Sequence, residues 1–560
     1  MTELLDLCYD VLIRILEETD PSDLAACAQT SVGFNEFLKK NTRLYKAHYL
    51  KTFDDPRRRP EDPEPDWVAE LKKAVRCQKI LESGSNDVKR DEFEFVTTTA
   101  LSLVATASTD QLGVSYNQQV LANLFESITQ NRDAFMSRSS LYTRAGTINQ
   151  KPAKDEEGRQ LSAKLQCLFG ITSTTGGRRS LQTHPYARSI VYDLRNYTDK
   201  NEWGPFRDDG SMRVDWEMLE SIMIVLGYSS NLCCRRFLSR FRPPWTNPFE
   251  GVIPDRASIL PPYPASLPNE IDVPLSLKDP YNVTGVWSRI VCFLDYNDLY
   301  HFNFSEEAMR WPSDQPRDPT VTEEAIRHIM MDIKVTSVEP AGPFDNPKLP
   351  VVSFAGKSRS VEASWDPNAN SGIRGSVRLT PEGEVRWQTI SVFHGGDERW
   401  RSDGIQVGGV RAQRGVIGTW FDKDFDPHGP AGPTAFWKIS DNNLLDEDED
   451  DELSPSFGNP QRRQSLEAQL ERREDSHLIP TVLLTDPHGT ATRPEPPPPD
   501  LVPASPHILL SKMKRNIVIF LIILILFILI ALIAYLIYYL QTRMAVGGTA
   551  SSGSDMTSVA

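Results

Sequence analysis

The sequence has few cysteines, and the seven that occur among 560 residues do not form a recognisable motif. They are scattered along the chain, without a CxxC pair or a Cys/His spacing that would suit a metal ion. This pattern argues against a zinc site and favours reduced thiols in a cytosolic environment. We therefore expect neither a bound metal nor a cofactor.

Positive charge is also in short supply. The chain has 61 Lys and Arg residues against 76 Asp and Glu residues, which gives a formal net charge of −15. Nucleic-acid binding requires clustered cations, so nucleic acid is not an expected partner. The N-terminus lacks a basic start followed by an apolar run, and no signal peptide is predicted.

Motifs of catalysis are missing as well. Residues 172–180, TSTTGGRRS, contain a glycine pair followed by two arginines, but the Walker spacing is absent and a surface loop is the preferred interpretation. Asp422, Asp424, Asp426 and His428 could suggest calcium binding or hydrolysis, but the EF-hand spacing and a nucleophile elbow are both lacking. A tight turn explains them better, and we predict a non-catalytic protein.

The length exceeds what one core usually serves, so we predict a multidomain α+β chain. Within its middle region we expect helices at Trp67–Leu81 and Trp216–Leu226 and a short strand at Ser189–Leu194. The predicted segments are a helical module at 1–53, a linker at 54–66, a mostly helical middle region at 67–250, a Pro-rich connection at 251–278, a β-rich domain at 279–440, a disordered acidic and Pro-rich linker at 441–516, an apolar span at 517–540 and a short tail at 541–560.

The N-terminal module has more apolar surface than its short helices can cover. Leu4, Cys8, Val11 and Ile15 share one stripe at helical spacing, with further leucines beside it. The chain restarts at Asp20-Pro21, and two more short helices are predicted before residue 53. Such surplus surface indicates a partner-binding module, although a small helical cap packed on the rest of the chain is the alternative.

The residue pattern of this module resembles an F-box. The resemblance rests on the pattern Leu7-x-x-Asp10-Val11-Leu12-x-x-Ile15-Leu16, then Asp20-Pro21-x-Asp23-Leu24, then Phe34. It implies a three-helix domain that docks on the Skp adaptor and, through it, on the cullin and RING subunits of a ubiquitin ligase. Cys8 stands where most F-boxes have proline, so adaptor binding weaker than usual is expected. The residues implied in adaptor binding are Leu7, Val11, Leu12, Ile15, Leu16, Pro21, Leu24 and Phe34.

The segment 279–440 is rich in short alternating stretches bounded by turn residues, which predicts a barrel or a sandwich. Its opening triplet Gly285-Val286-Trp287 resembles the start of lipocalin-like (calycin-like) barrels, where the tryptophan plugs one end. Nine candidate strands are predicted: Gly285–Leu294, Lys334–Val338, Val351–Ala355, Val361–Trp365, Ile373–Leu379, Val385–Phe393, Trp400–Val407, Gly415–Phe421 and Thr434–Lys438.

The sequence of segment 279–440, taken together with the N-terminal module, resembles fungal F-box proteins. Its end, with Gly418-Thr419-Trp420 and the turn HGPAGP, is distantly similar to the D-type-cyclin-binding domain of an animal F-box protein. The resemblance implies a substrate receptor. Tryptophan and arginine lead binding hot spots, so a peptide pocket is predicted from several of them, with barrel core and solvated rim as the alternative. These residues are Arg399, Trp400, Arg401, Arg411, Arg414, Trp420 and His428.

Residues 517–540 contain no charge and are dominated by isoleucine and leucine, enough for roughly 36 Å of helix. Basic residues precede the span, so we predict a single-pass tail anchor in membrane lipid with the N-terminal bulk cytosolic, in the endoplasmic reticulum or another endomembrane rather than the mitochondrial outer membrane.

Three functions follow from these features. The first is a membrane-tethered substrate receptor of an SCF-type ubiquitin ligase, which promotes ubiquitination and degradation of a bound protein. The second is a membrane-anchored scaffold or small-ligand-binding protein that uses the barrel independently of ubiquitination. An enzyme in its own right is the weakest of the three, because no catalytic motif with correct spacing is present.

Overall fold

A computed structural model describes residues 4, 7–57, 61–109, 113–146, 155–171, 178–237, 242–252, 274–363 and 369–442, with the backbone alone at 178–181 and 234–237. The helices are α1 (Tyr9–Glu17), α2 (Pro21–Thr30), α3 (Val32–Lys40), α4 (Thr42–Thr52), α5 (Trp67–Glu82), α6 (Asn86–Asp91), α7 (Phe93–Ala105), α8 (Tyr116–Ser127), α9 (Thr129–Phe135), α10 (Ser140–Arg144), α11 (Glu156–Phe169), α12 (Arg178–Val191), α13 (Trp216–Phe237), α14 (Leu275–Lys278), α15 (Tyr296–Phe304) and α16 (Glu306–Arg310).

The N-terminal module contains four helices in its described part, so the predicted three-helix arrangement is corrected. Apolar side chains of all four meet in a small core of Leu12, Ile13, Leu16, Leu24, Leu38 and Leu44. The fourth helix, α4, also leads out of the module, because Tyr49 near its end and Phe53 directly after it belong to the main core. His48 on α4 is buried and its Nε2 lies 2.9 Å from the Leu16 carbonyl oxygen of α1.

The two helices predicted in the middle region are present, but the predicted strand at Ser189–Leu194 is wrong. Residues up to Val191 form the end of α12, and a turn of 3-10 helix follows at Leu194–Asn196. His184, Arg188 and Val191 are all buried, which is the spacing of a helix face rather than a strand. The β-branched pair Ile190-Val191 suggested a strand locally, and tertiary packing overrides that preference.

The β-rich domain is a closed antiparallel barrel of eight strands in the described residues, not a sandwich. Each strand pairs with the next along the chain, and the last pairs with the first. The candidate strand Val361–Trp365 is wrong, because β3 runs on to Ser360 and residues 361–363 form no strand, while 364–365 lie outside the described residues. The strands are β1 (Gly285–Phe293), β2 (Ala325–Glu339), β3 (Val351–Ser360), β4 (Asn370–Leu379), β5 (Val385–Val392), β6 (Glu398–Gln406), β7 (Val416–Asp422) and β8 (Ala431–Ser440).

Aromatic side chains fill one end of the barrel interior. Trp287 packs against Trp387 and Phe436, with ring centroids 4.9 and 5.8 Å away. Gly285 two residues earlier has a φ of 137° and lies so close to β8 that an added Cβ would be 2.3 Å from the Ser440 carbonyl oxygen. A side chain at this position would therefore push β1 away from β8 and open the barrel.

The helical region and the barrel share a core. Helix α13 packs across β1, β7 and β8, and outward-facing side chains of those strands belong to the same apolar cluster as the helices. Ile290, Ile417 and Trp437 are examples, each at most 5% exposed. The barrel thus has one outer face covered by helix α13. The predicted domain boundaries at 250 and 279 stay predictions.

A buried carboxylate, Asp54, ties the end of the N-terminal module to the helical region. Its oxygens accept hydrogen bonds from the backbone N–H groups of Ser108 at 3.0 Å and Tyr116 at 2.8 Å, and from the Ser115 hydroxyl. The Asp54 N–H donates in turn to the Asn117 side chain at 3.0 Å. Asp54 is only 6% exposed, so water could not take over as the acceptor for these donors if the carboxylate were removed.

We expect Asp54→Ala to lower the free energy of unfolding by about 2–4 kcal/mol, because several buried donors lose their acceptor at once. Urea unfolding followed by circular dichroism measures the effect. Asp55→Ala is the matched control, since that neighbouring carboxylate is 34% exposed and pairs with Arg57, and its loss should cost less than about 1 kcal/mol. Equal effects of the two changes would contradict the structural role of Asp54.

The predicted fold class needs a correction at its C-terminal end. Across the described residues no helix is both long and apolar enough to cross a membrane. The predicted disordered linker, apart from residues 441 and 442, and the predicted span at 517–540 lie outside the described residues. The fold class is therefore restated without a transmembrane helix, as F-box-like helices, a helical middle region and a closed eight-stranded barrel.

Candidate functional sites on the first helix and on the barrel

The first helix leaves an apolar stripe uncovered. Val11 and Ile15 on α1 are 48% and 42% exposed, and Leu4 and Leu7 in the segment before the helix are 43% and 41% exposed. We call these four residues the α1 stripe. Another side of α1 carries the core residues Leu12, Ile13 and Leu16. The helix therefore has apolar side chains both in the core and at the surface. An apolar stripe of this kind on a folded domain is typical of an interaction surface.

The predicted adaptor-binding residues divide between this surface and the core. Leu7, Val11 and Ile15 are exposed on the stripe. Pro21 and Phe34 are half-buried, with Pro21 at the first position of α2. Leu12, Leu16 and Leu24 are at most 3% exposed and hold the module together from inside. Their assignment to adaptor binding stays a prediction, although their burial limits them to an indirect role.

Cys8 stands at the N-terminal boundary of α1 and is exposed. Its φ is −54°, which lies within the range that a proline ring imposes. The described residues show no hydrogen bond from its backbone N–H. The backbone therefore has the conformation that suits the proline usual in the pattern, even though cysteine occupies the position.

We expect Cys8→Pro to raise the free energy of unfolding by about 0.4–1 kcal/mol, because proline restricts the unfolded chain at a position whose native φ it already fits. Chemical denaturation of the purified chain measures the change, with Cys8→Ala as the control for loss of the thiol. A lower stability for the proline variant would mean that the N–H of residue 8 has a partner after all.

A second candidate site is a groove of about 680 Å³ on the outside of the barrel. Its floor is formed by outward-facing residues of β3 to β6, and one wall is the segment Asp199–Trp203. Phe425 from the β7–β8 turn packs on Trp203 and extends this wall. The volume lies within the range of ligand pockets, and the groove coincides with the strands that helix α13 leaves uncovered.

An ion network holds the groove's floor to its wall. Arg386 on β5 donates to both carboxylate oxygens of Asp403 on β6, with its Nε 3.0 and 3.1 Å from them, and also to Glu202. Asp403 is 2% exposed and receives a further bond from Gln388 at 3.0 Å. Burial lowers the pKa of Arg386, but the charge of Asp403 more than offsets this, so the pKa of Arg386 is raised overall. Burial raises the pKa of Asp403, and the charge of Arg386 works against this shift.

The predicted substrate-binding residues do not form a single pocket. Arg399, Trp400 and Arg401 begin β6, whereas Arg411 and Arg414 lie in the turn after its end, about 20 Å along the strand. Of the seven, Arg401 lines the groove. It is exposed, donates to the Lys423 carbonyl oxygen at 3.1 Å and lies over the Phe425 ring.

The other predicted residues have structural contacts. Arg414 is fully buried and donates to the carbonyl oxygens of Cys167 at 2.8 Å and Glu250 at 2.6 Å. Burial lowers its pKa to about 9. Trp420 lies inside the barrel mouth, where its Nε1 donates to the Cys292 carbonyl oxygen at 2.9 Å. These contacts favour barrel core over peptide contact for Trp420, whereas Arg414 is buried against the helical region and lies neither in a peptide pocket nor at a solvated rim.

Three further predicted residues divide between the two ends of β6, with Trp400 and Arg399 at its start and Arg411 after its end. The Trp400 ring packs edge-on against Trp420 at 5.4 Å, and Arg411 donates to the Pro280 carbonyl oxygen at 2.9 Å in the turn after β6. Arg399 pairs with Asp397 at 2.6 Å.

The acidic turn around His428 is held by its own aspartates. The Asp424 N–H donates to Asp422 at 2.9 Å, and the His428 N–H donates to Asp426 at 2.9 Å. The His428 ring is exposed and lies 4.7 Å from the ring of Phe304. This arrangement is the tight turn that the sequence predicts.

The groove residues that sequence reasoning missed had a usable signal. In the stretch Arg374-Gly375-Ser376-Val377-Arg378, alternation along a strand places Arg374, Ser376 and Arg378 on one face and Val377 on the other. With Val377 in the core, the arginines had to point outward from the barrel. Trp203 on the wall could not be assigned to the groove in this way, because its segment is distant in sequence from the barrel strands that form the floor.

Comparison with known families agrees with the surface on α1. Residues 4–46 match the F-box domain, which supports an F-box protein. Neither a search of curated proteins nor a search of solved structures found a match. The F-box match covers the α1 stripe and the first three helices of the module, and it supports binding of an Skp-type adaptor and thereby the cullin.

Proposed function

We propose that this chain is the substrate-recognition subunit of an SCF-type ubiquitin ligase. The observation that carries the proposal is the α1 stripe, which leaves four apolar side chains exposed within the segment that matches the F-box domain. The Skp adaptor covers this stripe, and the adaptor connects the chain to the cullin and RING subunits. F-box proteins are generally non-catalytic in these complexes, so ubiquitin transfer belongs to the other subunits.

The rest of the chain supplies the recognition of a protein target. Helix α4 contributes Leu44 to the F-box core and Tyr49 to the main core, so the adaptor-binding module is joined to the barrel-containing body by a continuous helix. A target bound on that body would be held at a restricted distance from the loaded conjugating enzyme. Holding the two together raises the effective concentration of the target's lysines, which is how such a receptor promotes transfer.

A small-ligand role for the barrel has weaker support. At the end that contains Trp287, the interior is filled by aromatic rings, with Phe354 only 5.5 Å from Trp387. That packing leaves little room for an apolar molecule at this end. The resemblance to a cyclin-binding domain suggests a cyclin-like protein as the target, and the resemblance to fungal F-box proteins suggests a fungal source. Both are proposals that rest on the sequence resemblance alone.

Capture of the tagged full-length chain from cells, followed by immunoblotting for the Skp adaptor and the cullin, tests the proposed role. We expect both subunits in the wild-type capture, together with ubiquitin-ligase activity on added ubiquitin. A capture that contains neither subunit, from a chain that is folded by circular dichroism, would contradict the proposal.

A further inference from the structure

Two arginines face each other across the floor of the barrel groove. The strand register places Arg374 of β4 opposite Ile390 of β5, and Ile390 opposite Arg401 of β6. The three side chains therefore form a row perpendicular to the strands, on the outer face. Because neighbouring strands are about 4.8 Å apart, the Cα atoms of the two arginines are separated by roughly 10 Å. Arginine side chains are long enough that, with their Cα atoms this far apart, both guanidinium groups can reach a single anionic group held above Ile390.

Two acids of the groove are bound by another arginine and not by this row. Asp403 and Glu202 are both bound by Arg386, which lies deeper on the floor. Arg401 has hydrogen bonding to a main-chain carbonyl and a ring contact, and Arg374 forms an ion pair with Glu398 at the solvent-exposed edge. A surface pair of that kind is weak and is readily exchanged for a better-placed anion.

A third arginine extends the cationic strip along β4. Arg378 lies four residues after Arg374, on the same face, and contacts Ser376 at 3.0 Å and Asp345 at 3.9 Å. Its Nε is buried without a hydrogen-bond partner among the described residues. Asp345 and Glu398 are the carboxylates that pair with this strip, and Asp199 lies on the wall of the groove.

The ring of Phe425, which we call the aromatic shelf, lies beside Arg401. Phe425 is 37% exposed, has a φ of 58° and packs on Phe421 and Trp203 at 5.4 and 5.8 Å. A bulky residue with positive φ is strained and persists only where its surroundings hold it in place. Arginine beside aromatic rings is the composition of binding hot spots. The shelf can pack against one apolar side chain of a bound segment.

We propose that this groove binds an extended acidic peptide segment of a partner protein. One carboxylate lies between Arg374 and Arg401, a neighbouring apolar side chain packs on Phe425, and further acidic residues run toward Arg378. The proposal rests on the proposed function as a substrate receptor and names the chemistry of the segment that such a receptor recognises. It is tested without the adaptor, so its failure leaves the adaptor-binding test unaffected.

The probe is a pool of fluorescein-labelled ten-residue peptides with two glutamates and one phenylalanine at randomised positions. A matched pool has glutamine in place of glutamate. Fluorescence anisotropy with the purified full-length chain measures binding at low and at physiological salt. We expect the glutamate pool to bind at least 10-fold more tightly than the glutamine pool, with the difference shrinking as salt screens the charges.

The variant Arg374→Ala with Arg401→Ala should weaken binding of the glutamate pool at least 10-fold. Arg310→Ala is the matched control, because that arginine is 79% exposed and pairs with Glu306 away from the groove. Changing both groove arginines to glutamate should reverse the preference toward a pool with lysine in place of glutamate. Thermal unfolding checks that each variant remains folded.

Equal binding of the glutamate and glutamine pools, or unchanged binding after loss of both groove arginines, would overturn the proposal. The chain carries its own acidic run at Asp446–Glu452, DEDEDDE. Binding that appears only after this run is replaced by asparagine and glutamine would identify the run as the occupant and would also overturn the proposal.

Discussion

The variant Val11→Asp with Ile15→Asp is expected to lose adaptor binding almost completely, by roughly 1,000-fold or about 4 kcal/mol. Both side chains are nearly half exposed in the free chain, at 48% and 42%, so their replacement leaves the module's own core intact. In a complex, each new carboxylate would be buried against apolar side chains without a partner, and an unpaired buried charge costs several kcal/mol.

Matched controls separate this effect from unfolding. Val321 is 82% exposed and lies outside the F-box match, so Val321→Asp should bind the adaptor like the wild type. Leu12 is 1% exposed, and Leu12→Ala should instead lower the free energy of unfolding by about 2–5 kcal/mol. Isothermal titration calorimetry with purified Skp adaptor measures binding. A surface double variant that binds with wild-type affinity would contradict the assignment of the α1 stripe.

Glu324→Ala is expected to lower the free energy of unfolding by about 3–5 kcal/mol, because it leaves Arg188 as an uncompensated buried charge. The Glu324 side chain is 1% exposed, and its two oxygens each accept from Arg188 at 2.9 Å. The Ser229 hydroxyl on α13 also donates to it at 2.7 Å. The contact therefore ties α12 and α13 to the chain that enters β2, and its loss weakens the attachment of the helices to the barrel.

Chemical denaturation measures this loss, and Glu306→Ala is the control because that carboxylate is 89% exposed on its own helix. The control should change the free energy of unfolding by less than about 0.5 kcal/mol. A Glu324→Ala variant as stable as the control would show that the helices are held to the barrel by apolar packing alone.

Glu324 also sets an expectation for acid stability. Burial raises its pKa, but hydrogen bonds from His184 and Arg188 outweigh this and hold the pKa below its ordinary value. A carboxyl with a depressed folded-state pKa stabilises the fold above the unfolded-state pKa near 4.3, and this contribution is lost as pH falls through the lower folded-state value. The stability difference between the wild type and Glu324→Gln should therefore be present at pH 6 and shrink below about pH 4. A difference that grows on acidification would contradict the assigned direction.

Much of the architecture was predictable from local pattern. The helix at Trp67 begins where Asp66 accepts from the N–H groups of Val68 and Ala69, both at 3.1 Å, so its start is fixed by neighbouring residues. The barrel strands follow from alternation and turn residues, as at Thr380–Gly383, where the Gly383 N–H donates to the Thr380 carbonyl oxygen at 2.8 Å. Local signals of this kind do not depend on distant packing.

The predictions were wrong where contacts between residues distant in sequence determine the structure. The segment 189–194 has β-branched residues, yet burial of one face against α13 makes it helical up to Val191. The predicted peptide site joined residues near each other in sequence, although the two ends of β6 carry them apart. The groove instead combines Trp203 with Arg374 and Arg401, which no sequence spacing brings together. Strand register and the helix-covered face, which sequence alone does not give, decide that arrangement.

The most direct test of the central claim is a titration of the purified full-length wild-type chain with purified Skp adaptor, monitored by calorimetry. The α1 stripe within the F-box match predicts a one-to-one complex, with heat release that is lost in the Val11→Asp, Ile15→Asp variant. The absence of binding by a folded wild-type chain at micromolar concentrations would contradict the account.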